Sequence, residues 1–195
     1  VPESVKVFFE NDRSISAVED TDNSDYVFLS MDLVRLEGRK YDGKRNFIKN
    51  FKARYKYEYI RITEALIPEV LSFQDYWCVE KDCEKVKSLR DESDAVKDML
   101  INFTPFGLIA GALRVENRIC AVCIAEPLNP ETIVIHVLKG VREMSGVYQT
   151  VFNEFLSREA GIYRFVNMEQ DLGVEGLRKS KESYHPHKMI KKFTL

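Results

Sequence analysis

The chain has 195 residues, of which 45% are hydrophobic, and its formal net charge is −2 at pH 7. These values predict a soluble globular protein of one domain or slightly more, and they argue against a strong attraction of the whole molecule to nucleic acid or membrane. No apolar run approaches the roughly 20 residues that span a bilayer, and no signal-peptide pattern opens the chain. We therefore predict a cytoplasmic protein without a membrane span.

The N-terminal end is acidic. Residues 1–32 contain eight acidic and two basic side chains. We expect weak strands at residues 5–9 and 26–29, joined by a polar connector. The prediction is therefore an acidic segment over residues 1–29, as a remnant or edge of a preceding half, followed by a domain over residues 30–195.

A basic amphipathic helix is predicted over residues 44–57. Its apolar stripe contains Phe47, Ile48, Phe51 and Tyr55, whereas basic side chains recur on a different face. Such a charged face usually contacts water, but only one acidic residue, Asp42, lies between residues 39 and 56. Both a solvated face and an anion-binding face remain open.

The later part of the chain predicts alternating strands and helices. A three-stranded antiparallel meander leading into α and β units is an α+β pattern with a mixed central sheet flanked by helices. The predicted strands cover residues 57–63, 111–115, 118–126, 132–138, 163–167 and 189–195, and the predicted helices cover residues 68–79, 83–103, 146–161 and 174–184.

Four cysteines are too few for a disulfide scaffold and fit a reducing compartment. Cys120 and Cys123 have the spacing of half a zinc site, but residues three apart in a strand point to opposite faces. No second Cys or His pair has matching spacing. We therefore predict no metal site.

Two residues near the third meander strand are candidates for acid–base chemistry. His136 shares a predicted strand face with Val134 and Leu138, which fits either a hydrogen-bonded core histidine or a general base. Glu126 ends the preceding strand and would act as a base only in a desolvated cleft.

Two predicted helix starts offer polar backbone groups. Gly146 precedes one helix, and its free backbone N–H groups would suit a phosphate or a developing oxyanion. Asp171 is the predicted N-cap of the other helix, at residues 174–184. In that helix Val174, Leu177 and Tyr184 form one stripe, and Lys181 lies on the same inward face. We interpret residues 167–186 as one wall of a transferase site.

Four segments together resemble the C-terminal domain of the phosphatidylglycerol lysyltransferase family: GRKYDGKRNFIKNF, LNPETIVIHVLKG, GVYQTVFNEF and NMEQDLGVEGLRKSKESYHP. The resemblance implies a GNAT-like acyltransferase fold in the second of two tandem halves. Relatives of this type move an aminoacyl group from charged tRNA, and they have a Phe-Lys pair near the end of the last helix. Lys181 matches that lysine, Ser180 replaces the phenylalanine, and Tyr184 and Pro186 follow.

The resemblance also implies limits on the substrates. The pyrophosphate-loop signature of acyl-CoA enzymes is met only by Arg142 and Gly146, at unsuitable spacing. Aminoacyl-tRNA is therefore the preferred co-substrate and acyl-CoA the alternative. A second GNAT-like half in cis is an expected partner.

The sequence thus supports three functions: aminoacyl transfer to an amine or hydroxyl, non-catalytic binding of RNA or another polyanion, and acyl-CoA-dependent N-acetyl transfer. For transfer, Lys181 would stabilise developing negative charge and Tyr184 would protonate the leaving group, beside His136 and Glu126. The predicted substrate-binding residues are Arg39, Lys40, Lys44, Arg45, Gly146, Tyr148, Asn167, Glu169, Asp171, Arg178 and Lys179.

Overall fold

The computed structural model describes residues 1–9, 12 and 14–195. The strands are β1 (Val18–Leu29), β2 (Tyr57–Arg61), β3 (Ile109–Val115), β4 (Arg118–Asn129), β5 (Thr132–Gly140), β6 (Phe165–Asn167) and β7 (Lys188–Thr194). The α-helices are α1 (Glu3–Lys6), α2 (Ser30–Arg35), α3 (Asp42–Arg54), α4 (Ile67–Glu80), α5 (Lys87–Ile101), α6 (Val147–Glu159) and α7 (Glu175–Glu182).

The strands form one sheet in the order β2-β3-β4-β5-β6-β1-β7. β5 and β6 are parallel, and the other neighbouring pairs are antiparallel. The predicted meander is β3-β4-β5, whose first turn uses Glu116 and Asn117 at positive φ, as a two-residue hairpin of this kind requires. The α+β class and the mixed sheet are therefore confirmed.

Each face of the sheet has its own hydrophobic core. Ala121, Cys123 and Ala125 of β4 belong to the core that α6 covers, whereas Val122 and Ile124 belong to the core under α4 and α5. This alternation follows from the two-residue period of a strand. Because helices cover both faces, β4 is almost continuously apolar.

The N-terminal segment differs from its prediction. The apolar run at residues 5–9 is not a strand, because Glu3–Lys6 is a short helix and Val7–Phe9 a 3₁₀ turn. The predicted strand at 26–29 is the end of β1, which also includes residues 18–25 of the acidic connector. β1 pairs with β6 on one side and β7 on the other, so residues 18–29 are an interior strand of this sheet. The assignment of residues 1–29 to a preceding half stays a prediction.

The cysteines also differ from expectation. Cys78 and Cys83 form a disulfide. Cys120 and Cys123 both lie in the core beneath α6, so the prediction of opposite faces is wrong. The reason is a β-bulge: Leu113 pairs with Ala121 and Arg114 with Ile119, which leaves Cys120 as the extra residue. Burial raises the pKa of Cys120 to about 12, and it raises that of Cys123 as well.

Candidate functional site

A cluster of three titratable side chains lies where β5 and β6 stop pairing. His136 Nδ1 is 2.8 Å from Glu169 Oε1, and His136 Nε2 is 3.3 Å from Glu126 Oε1. The side chain of His136 is 18% exposed and each glutamate side chain is 36% exposed. The structure therefore brings together three of the predicted residues and leaves them open to solvent.

A backbone irregularity positions the imidazole. Val137 pairs with Ile124 and Ile135 with Ala125, so His136 is the extra residue of a second β-bulge. Bulges re-aim one side chain out of the regular alternation and are common beside active sites. The parallel pairing of β5 with β6 ends at Val134 and Asn167. His136 thus follows directly after the point where these two strands separate.

The two carboxylates change the acid–base properties of His136. The hydrogen bond to Glu169 raises the pKa of the imidazole, partial burial opposes this, and the charge of Glu126 adds to the increase. The result is a pKa above the ordinary value, which favours the imidazolium form near neutral pH. The two carboxylates therefore stabilise the protonated form of His136 relative to its neutral form.

The loop after β6 holds Glu169 in place. Buried Asn167 accepts a hydrogen bond from the Glu169 backbone N–H at 2.7 Å. Tyr26 donates its N–H to the Glu169 carbonyl and accepts one from Met168. Glu169 itself has a φ of +58°, an uncommon conformation for this residue type. Several contacts thus fix a bent backbone at the residue that faces His136.

Lys181 binds the same loop from α7. Its Nζ donates a hydrogen bond to the carbonyl of Met168 at 2.7 Å and another to the carbonyl of Gln170. The side chain is partly buried, and desolvation lowers the pKa of its ammonium group. The sequence prediction that Lys181 points inward is therefore consistent with its geometry, although the atoms it contacts are backbone oxygens.

Asp171 and Arg178 form a second cluster in the same segment. Asp171 is 1% exposed and accepts hydrogen bonds from the Tyr26 hydroxyl at 2.6 Å and the Gly173 N–H at 2.8 Å. Arg178 donates to both Asp171 oxygens at 2.9 Å and to Asp22 at 2.6 Å. These donors hold the pKa of Asp171 well below its usual range. Asp171 therefore has an anchoring geometry, with its carboxylate committed to internal contacts.

Two details of α7 differ from the prediction. Val174 rather than Asp171 occupies the N-cap position, because Asp171 bonds to Gly173 in a turn that precedes the helix. Two members of the apolar stripe are not buried either, since Val174 is 50% and Leu177 45% exposed; the third, Tyr184, lies beyond the end of the helix. The helix has eight residues and contains no buried residue. Its hydrophobic period therefore did not identify an inward face.

Tyr184 follows α7 and is a core residue. It is 5% exposed, and the rings of Phe28 and Phe152 pack edge-on against it. Burial raises the pKa of its hydroxyl well above the usual value. Lys44 Nζ lies 3.8 Å from the centre of the ring. These surroundings favour a packing role for Tyr184 over proton donation.

The basic residues near the start of α3 meet the end of α7. Lys44 Nζ is 2.6 Å from Ser183 Oγ, and a ring nitrogen of His185 is 3.2 Å from the Lys40 carbonyl. Burial lowers the pKa of Lys44 to about 8. The exposed Lys179 pairs with Glu175, and Arg45 contacts Asp42 and the carbonyls of Leu36 and Gly38. Arg39 is exposed. The structure thus brings residues 39–45 and 183–185 together on one surface.

The start of α6 has a different neighbour. Gly146 has a φ of +87°, and a Cβ at this position would clash with the carbonyl of Phe47 in α3. Tyr148 donates its hydroxyl to the Gly140 carbonyl at 2.8 Å. The two predicted helix starts therefore pack against different elements, α6 against α3 and the segment before α7 against Asp22 of β1.

Sequence reasoning missed Asp22 and Tyr26, which anchor the loop from β1. Tyr26 was identified only as part of a weak strand, and Asp22 only as one of many acids. A contact over about 150 positions leaves no local signal in a single sequence. In the described part of the chain, no group of three or more His, Cys, Asp or Glu side chains is arranged to hold a metal ion.

The chain matches the family described as the C-terminal part of phosphatidylglycerol lysyltransferase over residues 7–195. It belongs to this family. A conserved protein of unknown function from Bacteroides thetaiotaomicron is 35% identical, with a TM-score of 0.93, and the match covers 99% of this chain and 66% of that one. No curated protein matches the chain significantly.

Two lysyltransferase relatives show the same fold at low identity. The C-terminal domain of a putative lysylphosphatidylglycerol synthetase from Agrobacterium fabrum is 14% identical with a TM-score of 0.63, over 91% of this chain and 60% of that chain. The structure of L-PGS from Bacillus licheniformis is 15% identical with a TM-score of 0.66, and the match covers 98% of this chain and 64% of that chain. The chain therefore shares the α+β fold of these lysylphosphatidylglycerol synthetase structures, as the family resemblance predicts.

The chain spans just under two thirds of the length of these three solved relatives. The family itself is defined as the C-terminal part of a larger synthetase. These findings are consistent with a second half in cis, which stays a proposal. Among the described helices, none has the length and apolar character needed to cross a bilayer.

Proposed function

We propose that this phosphatidylglycerol lysyltransferase-type domain transfers an aminoacyl group from charged tRNA to an amine or hydroxyl acceptor. The observation that carries the proposal is the Glu126–His136–Glu169 cluster, which combines an imidazole whose pKa is raised with two partly exposed carboxylates. Family membership supports the reaction class. Donor and acceptor are inferred from that resemblance and from the chemistry of the cluster.

In this mechanism the acceptor attacks the ester carbonyl of the aminoacyl donor. Glu126 takes the proton from the attacking amine or hydroxyl. It is the better placed of the two glutamates, because it lies 3.3 Å from His136, whereas Glu169 lies 2.8 Å from it. His136 gives its Nε2 proton to the leaving 3′ oxygen of the tRNA. The products are the aminoacylated acceptor and free tRNA, and a proton from the acceptor replaces the one that His136 donates.

The basic surface at residues 39–45 and 183–185 would hold the phosphates of the donor. Lys40 is exposed, Lys44 is partly buried, and Arg39 lies next to them. Lys and Arg side chains bind phosphates by charge-assisted hydrogen bonds. Lys179 is a further exposed candidate, whereas Arg178 and Asp171 are committed to each other. Acyl-CoA as the donor, and thus N-acetyl transfer, remains the alternative for the same chemistry.

Transfer is tested with tRNA charged with radiolabelled lysine or alanine and a bacterial small-molecule extract as the source of acceptor. The proposal predicts a labelled product that requires the protein and is lost in Glu126→Gln and His136→Gln. A parallel reaction with radiolabelled acetyl-CoA examines the alternative donor. Absence of transfer from every charged tRNA would contradict the aminoacyl proposal. Transfer from acetyl-CoA in its place would support N-acetyl transfer instead.

A second candidate function, non-catalytic polyanion binding, is favoured by a different observation. Residues 35–56 contain nine basic and two acidic side chains, a net charge of +7 in a chain whose total is −2. A groove of about 380 Å³ between α2 and α3 is lined by Val34, Leu36 and Ile48 together with Arg35, Lys49 and Lys52. This surface would attract the phosphate backbone of RNA.

The salt dependence of binding distinguishes the two functions. A polyanion binder should show a steep loss of RNA affinity with salt in a filter-binding titration, and Lys49→Gln should reduce the slope by about one. Lys87→Gln, on α5, is the control. RNA binding with normal affinity in a His136→Gln protein that lacks transfer would separate binding from catalysis.

A further inference from the structure

Lys181 contacts the backbone on both sides of Glu169, the glutamate whose side chain bonds to His136 Nδ1. The carbonyls of Met168 and Gln170, which accept its hydrogen bonds, flank Glu169 in sequence. An ammonium group has three N–H donors, and two of them are used here. Only one N–H is left for a substrate. Lys181 therefore acts as a clamp, by which we mean that it ties together the two carbonyls on either side of Glu169.

The conformation of the loop explains why a clamp is needed. Glu169 has a positive φ, and so does Leu172, three residues later. A non-glycine residue in this region of φ is strained unless its surroundings hold it. The carbonyls of Met168 and Gln170 would otherwise have to be satisfied by water. Lys181 provides a charged donor to both of them.

The position of Glu169 controls His136 in turn. The hydrogen bond between Glu169 and His136 Nδ1 is the largest cause of the raised pKa of the imidazole, and Glu126 contributes less. The negative charges of Glu169, Asp171 and Asp25 act on Lys181, and the centre of the Tyr26 ring lies 5.8 Å from its Nζ. A movement of the loop would therefore weaken the Glu169–His136 contact without any direct change at the imidazole.

We propose that Lys181 is a positioning residue, which holds the 168–170 backbone so that the Glu169 carboxylate faces His136. The inference rests on the proposed role of His136 in transfer. It replaces the expectation that this lysine stabilises the negative charge of the reacting carbonyl. The lysine acts on the reaction through the loop, Glu169 and the imidazole.

The sign of one titration distinguishes positioning from simple electrostatics. Removal of a nearby cation, with the loop unchanged, would stabilise the imidazolium and raise the pKa of His136. Loss of the Glu169 contact would instead lower that pKa towards the ordinary value. Positioning therefore predicts a lower His136 pKa in Lys181→Met, whereas an electrostatic role alone predicts a higher one.

The experiment is a ¹H–¹³C NMR titration of the protein labelled at histidine Cε1. The signal of His136 is assigned by its loss in His136→Gln, and His185 and His187 report that each variant is folded. Lys181→Met should lower the pKa of His136, and Lys179→Met, which removes an exposed lysine two positions away, should not change it. Lys181→Arg keeps N–H donors, so the pKa of His136 in this variant should stay close to its raised wild-type value.

The double variant Lys181→Met/Glu169→Gln completes the test. If Lys181 acts through Glu169, the double variant should titrate like Glu169→Gln alone, because the two changes break the same contact. An unchanged or higher His136 pKa in folded Lys181→Met, or fully additive effects in the double variant, would overturn the positioning role. Since the titration needs no substrate, a failure of the transfer assay leaves this result interpretable by itself.

Discussion

Two charged clusters lie on one short segment, yet they differ in how their hydrogen-bonding capacity is used. Asp171 is 1% exposed and its oxygens accept bonds from Tyr26, Gly173 and Arg178. Glu169, two residues earlier, has a side chain that is 36% exposed and shares His136 with Glu126. A saturated, buried carboxylate stabilises the fold, whereas an accessible carboxylate beside an imidazole can exchange protons. The same loop therefore separates an anchor from a candidate reactive centre.

The largest expected effect is that of His136→Gln on transfer. If the exposed cluster is catalytic, the transfer rate should fall by about 10²–10⁴-fold, which is the usual contribution of acid–base catalysis. His187→Gln is the matched control, because that ring stacks on Phe165 in another part of the sheet. A rate unchanged in His136→Gln, with the fold intact by circular dichroism, would assign the cluster a structural role.

The anchor is tested by Asp171→Ala. Removal of this buried carboxylate leaves the Tyr26 hydroxyl and the Gly173 N–H without their partner, so the free energy of unfolding should fall by about 3 kcal/mol. Asp22→Ala removes the other, half-exposed partner of Arg178 and should cost less than about 1 kcal/mol. Urea denaturation measures both. Equal losses in the two variants would contradict the distinction between an anchoring and a peripheral carboxylate.

The smallest expected effect is the pH dependence of stability. The folded-state pKa of His136 is raised, so its contribution is fully present below the unfolded value of about 6.5 and is lost as pH rises through the folded value. The contribution should be below about 1 kcal/mol, because the contacts are partly exposed. The free energy of unfolding of the wild type relative to His136→Gln, measured from pH 5 to 9, should decrease over this range. If the stability of the wild type relative to His136→Gln increased with pH, the pKa of His136 would be lowered by folding and not raised.

The order of elements could be predicted from the sequence because most helices and strands have a clear period. β3, β4 and β5 are apolar strands separated by turn residues, and α6 has a continuous apolar face. The N-terminal segment is harder to predict, because four of the twelve residues of β1 are acidic. Its pairing with β6 and β7 depends on residues that are far away in sequence.

The site could be predicted only in part. His136, Glu126 and Glu169 were each candidates, but the bulge that aims His136 at both carboxylates depends on the register between β4 and β5. Asp171 was a candidate substrate ligand because a single sequence gives no sign that Tyr26 and Arg178 occupy its oxygens. Lys181 was identified as an inward cation, whereas its carbonyl partners depend on the bent conformation of the loop.

Proton donation by His136 during aminoacyl transfer is tested by the pH–rate profile of transfer. In the wild type the rate should fall as pH rises through the raised pKa of His136, because the imidazolium is the active form. In His136→Gln the residual rate should lack this decrease. The same decrease in both proteins would show that His136 is not the proton donor.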